Sequence, residues 1–313
     1  MTLTKTFTGP AALAAGIALA LSGCAATGAG TDSTSGESTG QLTVVASTNV
    51  WGSIAQAIGG DAVSVTSLID SSAQDPHEFE ATARDQLAVN DAQLILENGG
   101  GYDDFVDTML DAAEENSARV VLNAVDISGL DTGDSGEGEF NEHVWYSFPT
   151  VDAVAQQLAN ELASLDPDNA DTFQSNYEEF SGELDQLTSR LDGIAADHGG
   201  AHVLITEPVP LYLLEAAGLV NETPDEFSEA VEEGTDVPAL VLEEVKGLLD
   251  SGNIVLLAYN EQTVTNQTEA VLDQATADGV PVVSFAETLP DGVTDYIDWM
   301  TTTIDTVEEA LNS

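Results

Sequence analysis

Apolar residues follow two kinds of pattern along the chain: short continuous runs, and longer segments with apolar positions three or four residues apart. The short runs predict buried strands, and the longer segments predict helices that cover them. Because the two kinds alternate, we expect an α/β fold of parallel sheets flanked by helices. Strands are predicted at residues 42–47, 63–69, 93–97, 119–122, 202–206, 254–258 and 280–285, and helices at 51–58, 81–91, 103–113, 151–164, 211–217, 240–249, 264–277 and 295–311.

One further helix is predicted to be much longer than the others. Some 30 residues at about 1.5 Å each would span roughly 45 Å, more than one small domain needs. A coiled coil is the alternative, but the position between two α/β regions favours a single long backbone helix that joins two lobes. Its apolar stripe consists of Phe173, Tyr177, Phe180, Leu184, Leu187, Leu191 and Ile194.

This pattern divides the chain into five predicted segments. A signal peptide occupies residues 1–23, a flexible tether 24–41, the first lobe 42–165, the linking helix 166–198 and the second lobe 199–313. Residues 124–142 interrupt the alternation, and the glycine-rich, acidic stretch 131–139 predicts an exposed loop there.

The N-terminal segment has the composition of a secretory signal. Lys5 precedes an apolar run from residue 11 to residue 21, which is too short to span a membrane. The run ends in Leu21-Ser22-Gly23-Cys24, which resembles a bacterial lipobox and implies cleavage before Cys24 and acylation of its thiol. An ordinary signal peptide with an incidental cysteine is the alternative. Because Cys24 is the only cysteine, the chain forms no internal disulfide and has no cysteine-based zinc site.

The charge balance is extremely acidic. The chain has 56 acidic and 5 basic side chains, with a formal net charge of −51. Such a field repels nucleic acid and anionic lipid head groups, so nucleic-acid binding is excluded. We interpret most of these carboxylates as a solvated surface suited to high salt, where screening removes their mutual repulsion.

Four side chains are candidates for a metal site. His77 lies in an Asp-Pro-His turn after a predicted strand, and His143 lies where the acidic segment ends. Glu207 and Glu287 each follow a predicted strand of the second lobe. Ligands gather at the carboxyl ends of parallel strands, and nitrogen and oxygen donors suit zinc and manganese. Glu261 also follows a strand and competes with Glu287, although we expect it to cap a helix.

The contexts of these residues resemble a known family. Four motifs occur in the same order as in that family. They are the turn at residues 75–80, the Asn-Glu-His-Val-Trp segment at 141–145 followed by Leu-Asp-Pro-Asp-Asn-Ala at 165–170, Thr206-Glu207 with Tyr212, and Glu287 in Phe-Ala-Glu-Thr. In these features the chain is similar to the solute-binding lipoproteins of ABC-type zinc and manganese importers. Glutamate replaces the histidine that many zinc-binding members have at Glu207, and aspartate is commoner than glutamate at Glu287.

The resemblance implies a function and a location. His77, His143, Glu207 and Glu287 would hold one divalent ion, manganese or zinc, in the cleft between the lobes. The protein would be a monomer on the extracytoplasmic face of the cell membrane, anchored by lipid at Cys24, and would deliver the ion to an ABC permease. The two glutamates favour manganese, whereas the general order of affinities favours zinc, so both ions stay open.

Two other function classes are considered. A metal-dependent hydrolase needs an open coordination position, whereas four protein ligands leave little room for a reactive water, so we predict that the protein is not an enzyme. A surface adhesin with a vestigial cleft would have an exposed apolar patch and no metal at the four residues.

Overall fold

The structure contains two parallel sheets and their covering helices. It is a computed structural model that describes residues 40–74, 79–114, 116–131 and 140–313. The predicted signal peptide, Cys24, His77 and most of the acidic segment lie outside these residues. Within the described part of the chain, no helix is long and apolar enough to cross a membrane.

The first sheet has four strands, β1 (Leu42–Thr48), β2 (Val63–Ile69), β3 (Leu94–Glu97) and β4 (Val120–Asn123). Their order is β2-β1-β3-β4, with all neighbours parallel. The inner strand β1 is almost continuously buried, which is typical of a strand covered on both faces. The helices of this part of the chain are α1 (Asn49–Gly59), α2 (Ala83–Asp91), α3 (Asp104–Ala112), α4 (Ala124–Ser128) and α5 (Phe148–Leu165).

The second sheet repeats the arrangement with the order β6-β5-β7-β8, again parallel. Its strands are β5 (His202–Ile205), β6 (Val220–Asn221), β7 (Ile254–Asn260) and β8 (Val282–Phe285), and its helices are α7 (Leu211–Ala216), α8 (Asp225–Glu232), α9 (Ala239–Asp250), α10 (Asn266–Asp278) and α11 (Tyr296–Leu311). The two parallel sheets flanked by helices confirm the predicted fold class.

The predicted long helix is α6 (Ala170–His198), with 29 residues. A short 3₁₀ turn at Pro167–Asn169 precedes it. Every member of the predicted apolar stripe is buried in it. The stripe packs into one hydrophobic cluster that contains residues from both sheets, so α6 forms part of a core shared by the two lobes.

Three elements differ from the sequence prediction. Residues 124–128, for which no helix or strand was predicted, form α4, because Ala124 and Val125 are buried and Asn123 caps the helix by accepting from the Asp126 N–H. The two-residue strand β6 and the helix α8 were not predicted. α8 is acidic, but Phe227 and Val231 are buried at i, i+4 spacing and attach it to the second lobe.

Hydrogen bonds also connect the lobes directly. The Asn49 side chain donates to the Leu289 carbonyl at 3.3 Å and accepts from the Leu289 N–H at 2.9 Å. The hydroxyl of Tyr146 donates to the Ala286 carbonyl at 2.8 Å, and that of Tyr296 donates to the Trp145 carbonyl at 2.6 Å. The linking helix is therefore not the only connection between the lobes.

Candidate metal centre

The first predicted ligand, His77, lies outside the described residues. The described chain on its two sides belongs to the first lobe: β2 ends at Ile69, and the Phe79 ring packs 4.6 Å from the Phe105 ring of α3. His77 as a ligand therefore stays a prediction.

His143 is buried and held in a defined orientation. Only 1% of its side chain is exposed. Its ring nitrogen Nδ1 lies 2.8 Å from the Asn141 side-chain oxygen, which also accepts the His143 backbone N–H at 3.1 Å. Because an amide oxygen only accepts, Nδ1 donates its proton in this pair, and Nε2 is the ring nitrogen through which His143 could coordinate a metal. The partner on Nδ1 thereby orients the ring.

Asn141 also connects the two lobes at this point. Its side-chain NH₂ donates to the Pro208 carbonyl at 3.1 Å, directly after Glu207. The Tyr212 hydroxyl of α7 donates to the Asn141 carbonyl at 2.7 Å. Since the NH₂ faces a carbonyl and the oxygen faces an N–H, the orientation of the amide is determined by both neighbours.

The Nε2 side of His143 faces a carboxylate. The Glu232 carboxylate oxygen Oε1 lies 3.7 Å from Nε2. Glu142, His143 and Glu232 each offer one potential ligand atom, and these three atoms lie within 4.8 Å of one another. Among the described residues, this is the only set of three histidine, cysteine, aspartate or glutamate side chains with that spacing.

Glu287 lies in a buried polar setting after β8. Its side chain accepts from the Asn260 side-chain NH₂ at 2.8 Å and from the Tyr102 hydroxyl at 3.3 Å, and its backbone N–H donates to Gln262 Oε1 at 2.6 Å. Burial, reinforced by the Glu287 carboxylate, raises the pKa of Tyr102 well above its ordinary value, so the phenol keeps its proton and remains a donor.

Tyr102 brings Glu287 into the neighbourhood of His143. The two ring centroids of Tyr102 and His143 are 5.9 Å apart in an edge-to-face arrangement, while the hydroxyl of Tyr102 reaches Glu287. Trp145 completes this aromatic wall with its ring centroid 4.8 Å from that of Tyr102. His143 and Glu287, which come from different lobes, thus border one buried phenol.

Glu207 follows β5 by two residues and is as buried as Glu287, with 3% exposed. Its neighbour Pro208 accepts from Asn141, so Glu207 lies at the junction where the second lobe meets the His143 segment. The three described candidates therefore surround the same interlobe region, although the tight three-residue group contains Glu142 and Glu232 instead of the two predicted glutamates. Their role as ligands remains a prediction.

The competing residue Glu261 lies on the surface. Its carboxylate accepts from the Ser284 hydroxyl, and the following helix α10 is capped by Thr265. The expectation that Glu261 caps a helix was therefore wrong. His202 is also remote from the site: it begins β5, and its Nδ1 lies 2.6 Å from Glu222 Oε1.

Glu232 is the residue at this site that the sequence analysis missed. It lies in the last position of α8, away from any strand end, in a segment where acidic residues are common. The spacing of Phe227 and Val231 would have predicted the helix. Only the packing of α8 on the second sheet brings its last residue to His143.

A buried acidic network supports the Tyr102 loop. The Asp103 carboxylate accepts from the backbone N–H groups of Asn98 and Gly99 at 2.6 and 2.8 Å. The loop also needs three glycines with positive φ, at +79°, +71° and +98° for residues 99–101.

The carboxyl of Glu97, at the end of β3, is also buried. Burial raises its pKa to about 7, although a hydrogen bond from the Asn123 side chain opposes that shift.

Comparisons with known proteins agree with this architecture. Residues 44–310 match the family model described as the periplasmic component A of the zinc-uptake complex, ZnuA. The chain is 26% identical over 311 residues to the manganese-binding lipoprotein MntA of Halalkalibacterium halodurans, covering 95% of this chain and 96% of that protein.

Two further similarities differ in their extent. Over 163 residues the chain is 30% identical to the manganese ABC transporter substrate-binding lipoprotein PsaA of Streptococcus pneumoniae, a match that spans about half of each protein, 50% of this chain and 51% of PsaA. The periplasmic zinc-binding protein TroA of Treponema pallidum has the same fold, with a TM-score of 0.72 at 21% identity over 87% of this chain and 99% of TroA.

Proposed function

We propose a function that follows from the family of this chain, which belongs to the family of ZnuA, the periplasmic component A of the zinc-uptake complex. The chain binds one divalent transition-metal ion and delivers it to an ABC permease. The ion is manganese or zinc. His77, His143, Glu207 and Glu287 are its proposed protein ligands, and the ion lies between the lobes as cargo.

The orientation of His143 is the observation that carries this proposal. A buried imidazole whose Nδ1 donates to an amide oxygen and whose Nε2 faces a carboxylate has the chemistry of a metal ligand. A histidine that serves packing alone has no need of a carboxylate at its second nitrogen. The ion would offset the charge of the buried glutamates, which are otherwise costly to remove from water.

Ligand type favours manganese among the two metals. Carboxylate oxygens suit manganese, whereas softer donors and the general order of affinities favour zinc. Two of the relatives, MntA and PsaA, are described as manganese proteins. We therefore propose manganese as the preferred cargo and zinc as the tighter competitor in a simple titration.

Membrane attachment forms a separate part of the proposal. Cys24 in its lipobox-like context would carry the lipid, and the same relatives are lipoproteins. The protein would act as a monomer on the extracytoplasmic face. Metabolic labelling with a radioactive fatty acid tests this attachment: a Cys24→Ser variant should lose the label and leave the membrane fraction. Equal labelling of both proteins would contradict it.

Metal binding is tested by elemental analysis of the untagged protein and by competitive titration with manganese and zinc. His143→Ala should weaken binding of both ions by at least about 100-fold, because the ring is a direct donor. His202→Ala is the matched control, since it removes an imidazole at the start of β5. A wild-type protein that stays metal-free under both ions would overturn the proposal, as would equal binding by the two variants.

A further inference from the structure

Glu232 reaches the His143 ring from the opposite lobe. The helix α8 that carries it packs on the second sheet through Phe227 and Val231, whereas His143 belongs to the segment before α5 of the first lobe. Glu142 is the neighbour of His143 in the chain, so its proximity follows partly from connectivity. The proximity of Glu232 depends on the tertiary fold alone, so it is stronger evidence for a binding site than the proximity of Glu142.

The distance between Glu232 and His143 fits coordination better than a direct hydrogen bond. A charged N–H···O pair has its heavy atoms about 2.7 to 2.9 Å apart. Two donor atoms that are each about 2.1 Å from one ion stand about 3.4 Å apart at a tetrahedral angle and about 3.6 Å apart at a trigonal angle. The observed separation of Nε2 and Oε1 is 3.7 Å.

The orientation of the His143 ring agrees with this interpretation. Nδ1 donates to the side-chain oxygen of Asn141, so Nε2 is the ring nitrogen that faces Glu232. A carboxylate oxygen and an imidazole nitrogen that converge in a nearly buried location can act as donors to one cation.

We infer that Glu232 is a further ligand of the carried ion, supplied by α8 at the solvent-facing side of the site. Its side chain is 18% exposed, whereas that of His143 is 1% exposed, so Glu232 is more accessible to an incoming ion than His143. The inference rests on the proposed function, because it adds a donor to the same metal site.

An additional carboxylate changes the preference of the site for manganese or zinc. With the described candidates His143, Glu207 and Glu287, it gives three carboxylate donors beside one imidazole and a ligand charge of about −3. Hard oxygen donors and a higher coordination number suit manganese, whereas zinc is satisfied by four donors in a tetrahedron. Glu232 is therefore expected to determine how well manganese competes with zinc.

The test compares four variants with the wild-type protein by titration with manganese and with zinc. Glu232→Ala should raise the Kd for manganese at least about tenfold and the Kd for zinc by less. Glu232→Gln keeps the shape of the side chain and a neutral oxygen, so its loss should be intermediate and its fold intact. Glu233→Gln is the matched control, because it makes the same charge change at the next residue, which is exposed. His143→Ala reports on the site itself.

Cobalt supplies a readout that a purely structural role would not change. The visible absorption of bound Co²⁺ becomes more intense as the coordination number falls. The bands should therefore strengthen in Glu232→Ala and stay unchanged in Glu233→Gln.

The outcomes separate the two proposals. If Glu232→Ala matches Glu233→Gln in both affinities and in the cobalt spectrum while His143→Ala loses binding, the inference is wrong and the proposed function stands. If the wild-type protein binds neither ion, the proposed function fails and the inference fails with it.

Discussion

At the scale of single residues, the geometry of the candidate site depends on neighbouring side chains that orient the proposed ligands by hydrogen bonds. Asn141 is the clearest case, because one amide orients the ring of His143 and also joins the first lobe to Pro208 of the second. Such partners commonly change metal affinity by about 10- to 100-fold when removed. The orientation of the histidine is therefore set by a residue that is not itself a proposed ligand.

Two variants of Asn141 separate its roles. Asn141→Ala removes all three side-chain hydrogen bonds, two with His143 and one to the Pro208 carbonyl, and should weaken metal binding by about 10- to 100-fold. Asn141→Asp keeps an acceptor for Nδ1 but loses the donor to Pro208, so it should retain more affinity than the alanine variant. Isothermal titration with manganese measures both. Wild-type affinity in the alanine variant would contradict this role of Asn141 in orienting the ring.

The buried carboxyl of Glu97 predicts a pH-dependent stability. Its folded pKa is raised from 4.5 to about 7, so the folded state binds more protons than the unfolded state between these values. Stability should fall as the pH rises from 4.5 to 7 and then stay reduced. Glu97→Gln should remove this dependence and stabilise the fold above pH 7 by about 1 to 3 kcal/mol.

Urea unfolding at several pH values, at constant high salt, measures this effect. Glu233→Gln is the control, because it removes one negative charge from the surface and should leave the pH dependence unchanged. A Glu97→Gln profile parallel to that of the wild type would show that Glu97 is not the responsible group.

At the scale of elements, α6 connects sequence pattern and architecture most directly. Its apolar positions recur at spacings of three and four, and each of them is buried. The pattern states which face is covered. It does not state what covers that face, which in the structure includes α5, α1 and α11. The alternative of a coiled coil was excluded by those neighbours.

A pair of substitutions on α6 tests the division into a buried and an exposed face. Leu187→Ala should destabilise the protein by about 2 to 5 kcal/mol, because it leaves a cavity in the shared core. Gln186→Ala, on the exposed side, should change stability by less than about 0.5 kcal/mol. Denaturant midpoints with unchanged m-values would measure both. Similar values for the two variants would contradict the assignment of faces.

At the scale of the whole molecule, two properties act together: the shared core with its interlobe hydrogen bonds, and the large negative charge. The bonds from Asn49, Tyr146 and Tyr296 tie the lobes together at several points. We therefore expect small movements around the site when an ion enters or leaves. The charge opposes compaction of the entire chain unless counterions screen it.

Salt should therefore stabilise this protein strongly. Raising KCl from about 0.1 M to about 2 M shortens the screening length from about 10 Å to a few ångströms. The thermal midpoint should rise by at least about 5 °C, as reduced self-repulsion favours the folded state. Differential scanning calorimetry measures it, with sucrose at equal osmolality as the control. A midpoint that is flat in KCl would contradict the interpretation of the acidic surface.

Much of the fold was accessible from the sequence because its signals are local. Apolar runs predicted the seven longer strands, and apolar periodicity predicted α6 together with most of the other helices. The two-residue strand β6 and the acidic helix α8 were not predicted because they contain few apolar residues. The helix α4 was not predicted because its residues follow a strand and precede the acidic segment, where a loop was expected.

The sequence by itself determined the fold class and the long connecting helix, since both depend on residue type and spacing, and its family motifs led to the proposal of His77, His143, Glu207 and Glu287 as ligands. Only the tertiary structure decided which of these groups converge. It joined Asn141 to His143 and Pro208, placed Tyr102 between His143 and Glu287, and brought Glu232 to the imidazole from the other lobe. These contacts link residues far apart in the chain. Their distances depend on how two sheets pack around a shared core, which no local pattern encodes.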